Sequence, residues 1–323
     1  MVRRLLIPVL AAALAAGLAA CGEDDGGADP GQIPVVATTT QAADLARNVG
    51  GDRVHVEGLL APNADPHEYE VRPDAVKALG GAAVVVRSGG DLDAWLDDAI
   101  ENASGDPEVV TLLDAVRPLT DAGHEHGAGE DGHAGDEVDP HWWQDPRNAE
   151  LAVAAIERAL SRADPEGASG YRARADAYTA ELRRLDRAVA HCWDEVPAAQ
   201  RKLVTTHDAL GYYARRYGLE VIGAVIPSLS TQAQPSAGDT AALIDLIRRE
   251  RVRAVFAESS VNPKVEQAIA REAGARVGPA LWADSLGPPG SDGDTYLRSI
   301  ASNTRALAGG VSGGAVTCSL PVR

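Results

Sequence analysis

The residues best equipped for chemistry in this chain are its histidines, and four of the eight lie in residues 121–146, DAGHEHGAGEDGHAGDEVDPHWWQDP. His124, His126 and His133 stand in Gly- and acid-rich sequence without apolar periodicity, which reads as an exposed loop over residues 121–138. His141 follows Asp139-Pro140 and precedes two tryptophans, so it enters ordered structure. Imidazole and carboxylate packed this densely suit a transition-metal site, zinc before others. A solvated surface loop that is merely rich in histidine accounts for the same composition.

Other candidate ligands fall where predicted strands end. His67 lies in NADPHEYE, His207 in TTHD, Glu258 closes VFAE and Asp284 closes LWAD. The tripeptide Asp-Pro-His occurs twice, at 65–67 and 139–141, and proline restrains the backbone that presents each imidazole. Two histidines from one half of the chain, with a histidine and a carboxylate from the other, supply four N/O donors, a closed set suited to Zn²⁺. Each has a plainer role open to it. His67 and His141 are suitable turn residues, and His207 could cap a helix. Glu258 could face solvent, and Asp284 could form an Asx-turn ahead of Gly287. His55 and His191 read as structural, and Trp142 and Trp143 as packing residues.

The elements that must position these residues alternate. Predicted strands over residues 33–40, 54–60, 82–87 and 108–113 are separated by helices over 42–48, 74–79 and 93–101. This βαβα order implies a mostly parallel sheet with helices on both faces and ligands beyond the strands' carboxyl ends. A helix over 148–162 follows the His-rich loop. Tyr171, Tyr178, Leu182, Leu185, Val189 and Cys192 then form one stripe of a long helix running to about Trp193. Asp164-Pro165-Glu166 offers it a capping side chain and a proline at the first helical position. Strands over 202–206, 221–225, 252–257 and 276–282 and helices over 209–217, 240–249, 265–273 and 295–307 repeat the alternation. The fold class is therefore α/β: two lobes with parallel sheets, residues 33–163 and 196–323, joined by a stiff connecting helix over 164–195.

The ends of the chain set its address. Arg3 and Arg4 precede an apolar run over residues 5–20, shorter than the ~20 residues a spanning helix needs. Leu18-Ala19-Ala20-Cys21 closes it, so residues 1–20 read as a signal peptide and Cys21 as a lipidated first residue. Residues 21–32 then form a flexible acidic tether. The formal charge of −17 argues against a nucleic-acid partner and is compatible with a cationic one. Cys192 and Cys318 remain, and in an exported protein they have the option of pairing. Two thiols are too few for a cysteine-rich zinc site.

Taken together, NADPHEYEVRP, DPHWWQDPRNA, TTHDALGYYARRYGL, VFAESSVNPKVEQAIA and ADSLG resemble the zinc and manganese solute-binding proteins of bacterial ABC importers. The resemblance covers residues 33–309. It implies two α/β lobes on one rigid helix, metal ligands at His67, His141, His207 and Asp284, and Glu258 either behind the ligands or as an occasional ligand itself. It also implies that no reaction is catalysed. Gln144 stands where the family usually has Leu, Ser259-Ser260 where Pro-Gln is common, and Ser285 where Pro is common. The last departure bears on the backbone around Asp284. Imidazole at position 207 favours zinc, since manganese prefers oxygen and manganese-type relatives look like they carry a carboxylate there. The His-rich loop resembles that of zinc-type members.

The expectation is a monomeric, lipid-anchored extracytoplasmic receptor that captures Zn²⁺ between two lobes and hands it to a membrane permease. Three rivals stand beside it. One is a Mn²⁺ or Fe²⁺ receptor of the same fold, and another a zinc hydrolase with Glu258 as base. The third is a surface protein with a role in attachment, which some lipid-anchored relatives share. Against the hydrolase, the chain has no H-E-x-x-H helix, and His124-Glu125-His126 sits in sequence too Gly-rich to hold catalytic geometry.

Overall fold

A computed structural model describes residues 31–120 and 138–322. Cys21 and the loop histidines His124, His126 and His133 lie outside the described residues.

The N-terminal lobe begins with β1 (Ile33–Ala37), α1 (Thr40–Gly50), β2 (Val54–Gly58), α2 (Pro73–Gly81), β3 (Val84–Arg87), α3 (Leu96–Glu101) and β4 (Glu108–Thr111). The four strands pair in parallel in the order β2-β1-β3-β4. Val84, Val85 and Val86 are all buried, as a parallel strand covered on both faces requires. The first strand stops earlier than the sequence pattern predicts because Thr39 caps α1, its hydroxyl accepting from Ala42 N at 3.2 Å. Residues 90–93 form a 3-10 turn instead of joining α3. The Asp93 carboxylate of that turn instead accepts from Ser88 N at 2.8 Å and Thr38 Oγ1 at 2.7 Å.

After the His-rich segment, α4 (Pro146–Ala163) starts with Pro146 in its first turn and Asp145 accepting from Arg147 N at 2.9 Å. The connecting helix α5 (Ala168–Asp194) has 27 residues, about 40 Å at 1.5 Å per residue. Its predicted stripe is buried from Tyr171 to Cys192. The expected cap fails. Residues 165–167 form a separate 3-10 turn, and the Asp164 carboxylate takes Tyr171 Oη at 2.7 Å and Arg53 Nε at 2.8 Å. A two-bond ion pair with a guanidinium outcompetes a single bond to an uncharged backbone N–H.

Both lobes are bolted to α5. Arg174 donates to Val49 O and Gly50 O, each at 2.7 Å, at the end of α1. Further along, Asp186 accepts from Arg216 Nε at 2.8 Å and from Tyr217 Oη at 3.0 Å. Those two partners lie on α6 (Gly211–Tyr217), in the second lobe. Cys192, near the end of α5, is joined to Cys318 with Cα atoms 5.5 Å apart.

The C-terminal lobe continues β5 (Lys202–Thr205), α6, β6 (Glu220–Ala224), α7 (Ala237–Glu250), β7 (Ala254–Val255), α8 (Lys264–Ala273), β8 (Arg276–Val277) and α9 (Tyr296–Ser312). Here the sequence pattern overstates the strands. Two parallel pairs, β5-β6 and β7-β8, replace one continuous ladder, linked by Phe256 N donating to Val204 O at 2.9 Å. The chain beyond β8 meets Gly278-Pro279, and proline has no N–H for a ladder, so pairing resumes only at the single bridge Glu258–Leu281. That bridge puts Glu258 and the approach to Asp284 side by side.

Candidate metal centre

Two short turns present the N-lobe histidines, and the repeated tripeptide builds them alike. Asp65 Oδ1 accepts from His67 N at 2.9 Å, and Asp139 Oδ1 accepts from His141 N at 2.9 Å. Each aspartate thus ties down the backbone of the histidine two residues on. Their remaining capacity is spent differently. Asp139 Oδ1 also lies 2.7 Å from His141 Nδ1, while Asp65 Oδ2 accepts from Thr231 Oγ1 of the other lobe at 2.7 Å.

His207 follows β5, its carbonyl accepting from Thr205 Oγ1 at 2.8 Å and its Nδ1 lying 2.6 Å from Glu258 Oε1. Behind it, Thr206 Oγ1 donates to Glu266 Oε1 at 2.9 Å. Asp284 is placed through its neighbours. The carbonyl of Ala283 accepts from Trp143 Nε1 and from Gln144 Nε2, both at 2.8 Å. On the other side Leu286 N donates to Thr40 Oγ1 at 2.8 Å. Ser285 donates its hydroxyl to Leu286 O at 3.1 Å, so a serine in place of the common proline leaves Asp284 held from both flanks.

The structure brings His67, His141, His207 and Asp284 together, with one donor atom of each within 4.8 Å of all the others. His141 Nε2 and His207 Nε2 are 3.3 Å apart. Asp284 Oδ2 lies 3.2 Å from His207 Nε2 and 3.5 Å from His67 Nε2, and Oδ1 lies 3.5 Å from His141 Nε2. A tetrahedral ion about 2.0–2.1 Å from each donor needs donor pairs about 3.3 Å apart. With Asp284 Oδ2 as the fourth vertex, three of the six edges are near that value as they stand.

The electrostatics point the same way. With Nδ1 of each ring held by Asp139 or Glu258, the Nε2 atoms of His141 and His207 face each other and the Asp284 carboxylate. His67 Nε2 and both Asp284 oxygens are buried without a hydrogen-bond partner. Three imidazole nitrogens and a carboxylate this close need a cation among them, a proton or a metal. Burial opposes charge on His207, yet Glu258 and Asp284 together raise its pKa well above the ordinary imidazole range. Burial likewise works to raise Asp284, but His207 and His141 hold its carboxyl well below the usual range. Burial pushes Glu258 up.

Glu258 stands behind His207, outside the four converging donors. Trp142 and Trp143 are packing residues whose indole N–H groups reach backbone carbonyls of Ser88 and Ala283. His55 lies in β2 and His191 on the exposed side of α5, and neither reaches the cluster. The sequence reading missed Asp139, Asp65 and Gln144 as supporting groups. The two aspartates were visible in the repeated tripeptide, whereas Gln144 gave no signal beyond being unusual.

Comparison with known proteins decides the family. Residues 35–310 match the family described as zinc-uptake complex component A, periplasmic (ZnuA). The chain belongs to this family. The manganese-binding lipoprotein MntA of Bacillus subtilis is 34% identical, over 94% of this chain and 97% of that protein. The zinc-binding protein TroA of Treponema pallidum is 31% identical over 93% of this chain and 96% of that protein. The solved structure of TroA superposes with a TM-score of 0.77 at 28% identity, covering 87% of this chain and 99% of that one. The iron-binding protein YfeA of Yersinia pestis is 28% identical over 86% of each chain. As a ZnuA-family member the protein is a metal-binding substrate-binding component of an ABC importer, and not an enzyme. The hydrolase alternative also lacks its base, since Glu258 is engaged by His207.

Proposed function

We propose that the protein captures Zn²⁺ outside the cytoplasm and delivers it to the permease of an ABC importer, working as a monomer anchored by lipid on Cys21. The ligands are His67, His141, His207 and Asp284. The observation that carries this reading is the third imidazole. His207 completes a set of three nitrogens and one oxygen, and zinc accepts such a set more readily than manganese, which prefers oxygen.

Zinc enters past His67. Its side chain is 7% exposed, whereas those of His141, His207 and Asp284 are fully buried. A cavity of about 250 Å³ lined by His67, Tyr69, Trp95 and Gln232 borders it on the solvent side. His141 and His207 are already oriented by carboxylates, so capture costs little ordering; His67 closes last. Because α5 is tied to both lobes, release proceeds by a small rocking of one lobe against the other. Opening breaks the cross-lobe bonds of Asp65 to Thr231 and of His67 O to Gln232.

A manganese or iron receptor is the second reading, favoured by the metals that name MntA and YfeA. Competition titration against a chromogenic chelator, with metal analysis of protein purified without chelator, separates the two. Zinc bound one to one and held against excess manganese supports the proposal. Preference for manganese would overturn it.

A further inference from the structure

One cavity of about 400 Å³ carries chemistry that metal transport does not use. It opens at the end of the C-lobe where β7 and β8 begin, away from the metal centre, and lies between β8, α9 and the C-terminal tail. Its size falls within the range of small-molecule sites, about 300–1,000 Å³. Ala254, Val277, Pro279, Ala306 and Val316 give it apolar walls. Two glycines keep it open: a Cβ on Gly314 would meet nothing within 4 Å, and one on Gly309 would meet only Val316 O, at 3.9 Å. The tail that forms one wall is pinned to α5 through Cys318.

Three arginines, Arg253, Arg276 and Arg305, are among the residues that line the same cavity. The chain has 47 acidic and 30 basic residues, so a carboxylate is the easiest partner for an arginine to find. Arg53, Arg87, Arg147, Arg216 and Arg298 have each found one. Among the described residues the three at the cavity have not, as is also true of Arg47, Arg174 and Arg201, whose guanidinium groups bond backbone carbonyls; what sets the three apart is that they share one apolar hollow. Arg253 donates to Ser312 O at 2.9 Å and Gln200 Oε1 at 3.2 Å, and Arg305 reaches Leu320 O at 3.4 Å. Among the described residues the Arg276 guanidinium makes no hydrogen bond or ion pair. Three cations without a paired carboxylate among the described residues, set around an apolar hollow on an otherwise acidic protein, are complementary to an anion with an apolar body.

We propose that this cavity binds an amphiphilic anion, a carboxylate carried on an aliphatic chain. The carboxylate takes the guanidinium groups of Arg276 and Arg305 in fork geometry, and the chain lies against Val277, Pro279 and Val316. The site is independent of the metal centre.

Calorimetric titration of the zinc-loaded full chain with octanoate tests this, with octanol and acetate as controls that remove the charge and the chain in turn. Octanoate binds one to one, and both controls bind at least about tenfold more weakly. The double variant Arg276→Ala, Arg305→Ala loses about tenfold or more in octanoate affinity, and Gly309→Leu, which fills the cavity, abolishes binding. Zinc affinity, measured on the same samples, is unchanged in every variant, which separates loss of the site from loss of the fold. Octanoate that fails to saturate, octanol that binds as well as octanoate, or a double arginine variant that binds octanoate like the parent would each overturn the proposal.

Discussion

Glu258 Oε1 lies 2.6 Å from Nδ1 of His207, and this contact decides which ring nitrogen is left for a metal. A carboxylate at Nδ1 fixes the tautomer and the ring plane, leaving Nε2 as the donor and making it more basic. Asp139 does the same for His141 at 2.7 Å. Replacing Glu258 by Gln therefore weakens zinc binding by about 10–100-fold while leaving one zinc per chain. A variant that binds no zinc at all would make Glu258 a ligand.

The pH response has opposite signs with and without metal. In metal-free protein the raised His207 pKa contributes stability that is full below the unfolded value near 6.5 and lost as pH rises through the folded value. The lowered Asp284 pKa contributes stability present above about 3.8 and lost as pH falls through the folded value. Zinc must displace the His207 proton, so zinc affinity falls as pH falls. Melting curves between about pH 5 and 9 will show metal-free protein losing stability toward the alkaline end as the zinc-induced shift grows. Calorimetry in buffers of different ionisation enthalpy will register proton release on binding, and its absence near neutral pH would contradict the assignment.

Gln144 earns a functional test because it ties the turn bearing His141 to the carbonyl before Asp284. Gln144→Leu removes one of two donors to Ala283 O and leaves Trp143 in place. The expected loss is about 1 kcal/mol, roughly fivefold in zinc affinity. Discrimination against manganese should fall with it, because a looser Asp284 admits a larger coordination shell. Equal affinity and selectivity in the variant would show that Trp143 alone suffices to hold Ala283 O.

All four converging donors lie outside residues 121–137. Deleting residues 122–134 therefore leaves tight zinc binding within about threefold, and changes only weaker, additional binding. The competition titration applied to the deletion variant checks this. Loss of tight binding would show that His124, His126 or His133 takes part in the main site.

Local rules carried much of this protein in its sequence. Period-two and helical patterning gave the βα alternation and the buried stripe of α5, because each depends on neighbours within a turn or a strand. The Asp-Pro-His tripeptides were legible for the same reason: residue 65 restrains residue 67, and residue 139 restrains residue 141. The C-lobe strands were less so, since Gly278-Pro279 interrupts a run whose composition still reads as strand. The Asp164 cap failed for a related reason, its carboxylate being claimed by Arg53 from over a hundred positions away.

Only the tertiary structure decided how the donors meet. His67, His141, His207 and Asp284 are far apart in the chain, and their mutual distances depend on how two lobes are locked to one helix. It also decided that Glu258 stands behind His207 and that Gln144 and Trp143 reach across to Ala283. Three arginines gathered round one apolar cavity, without a paired carboxylate among the described residues, are equally invisible to composition. Sequence records which side chains are present; pairing among distant ones is fixed by packing, and charge acts over a few ångströms whatever the separation along the chain.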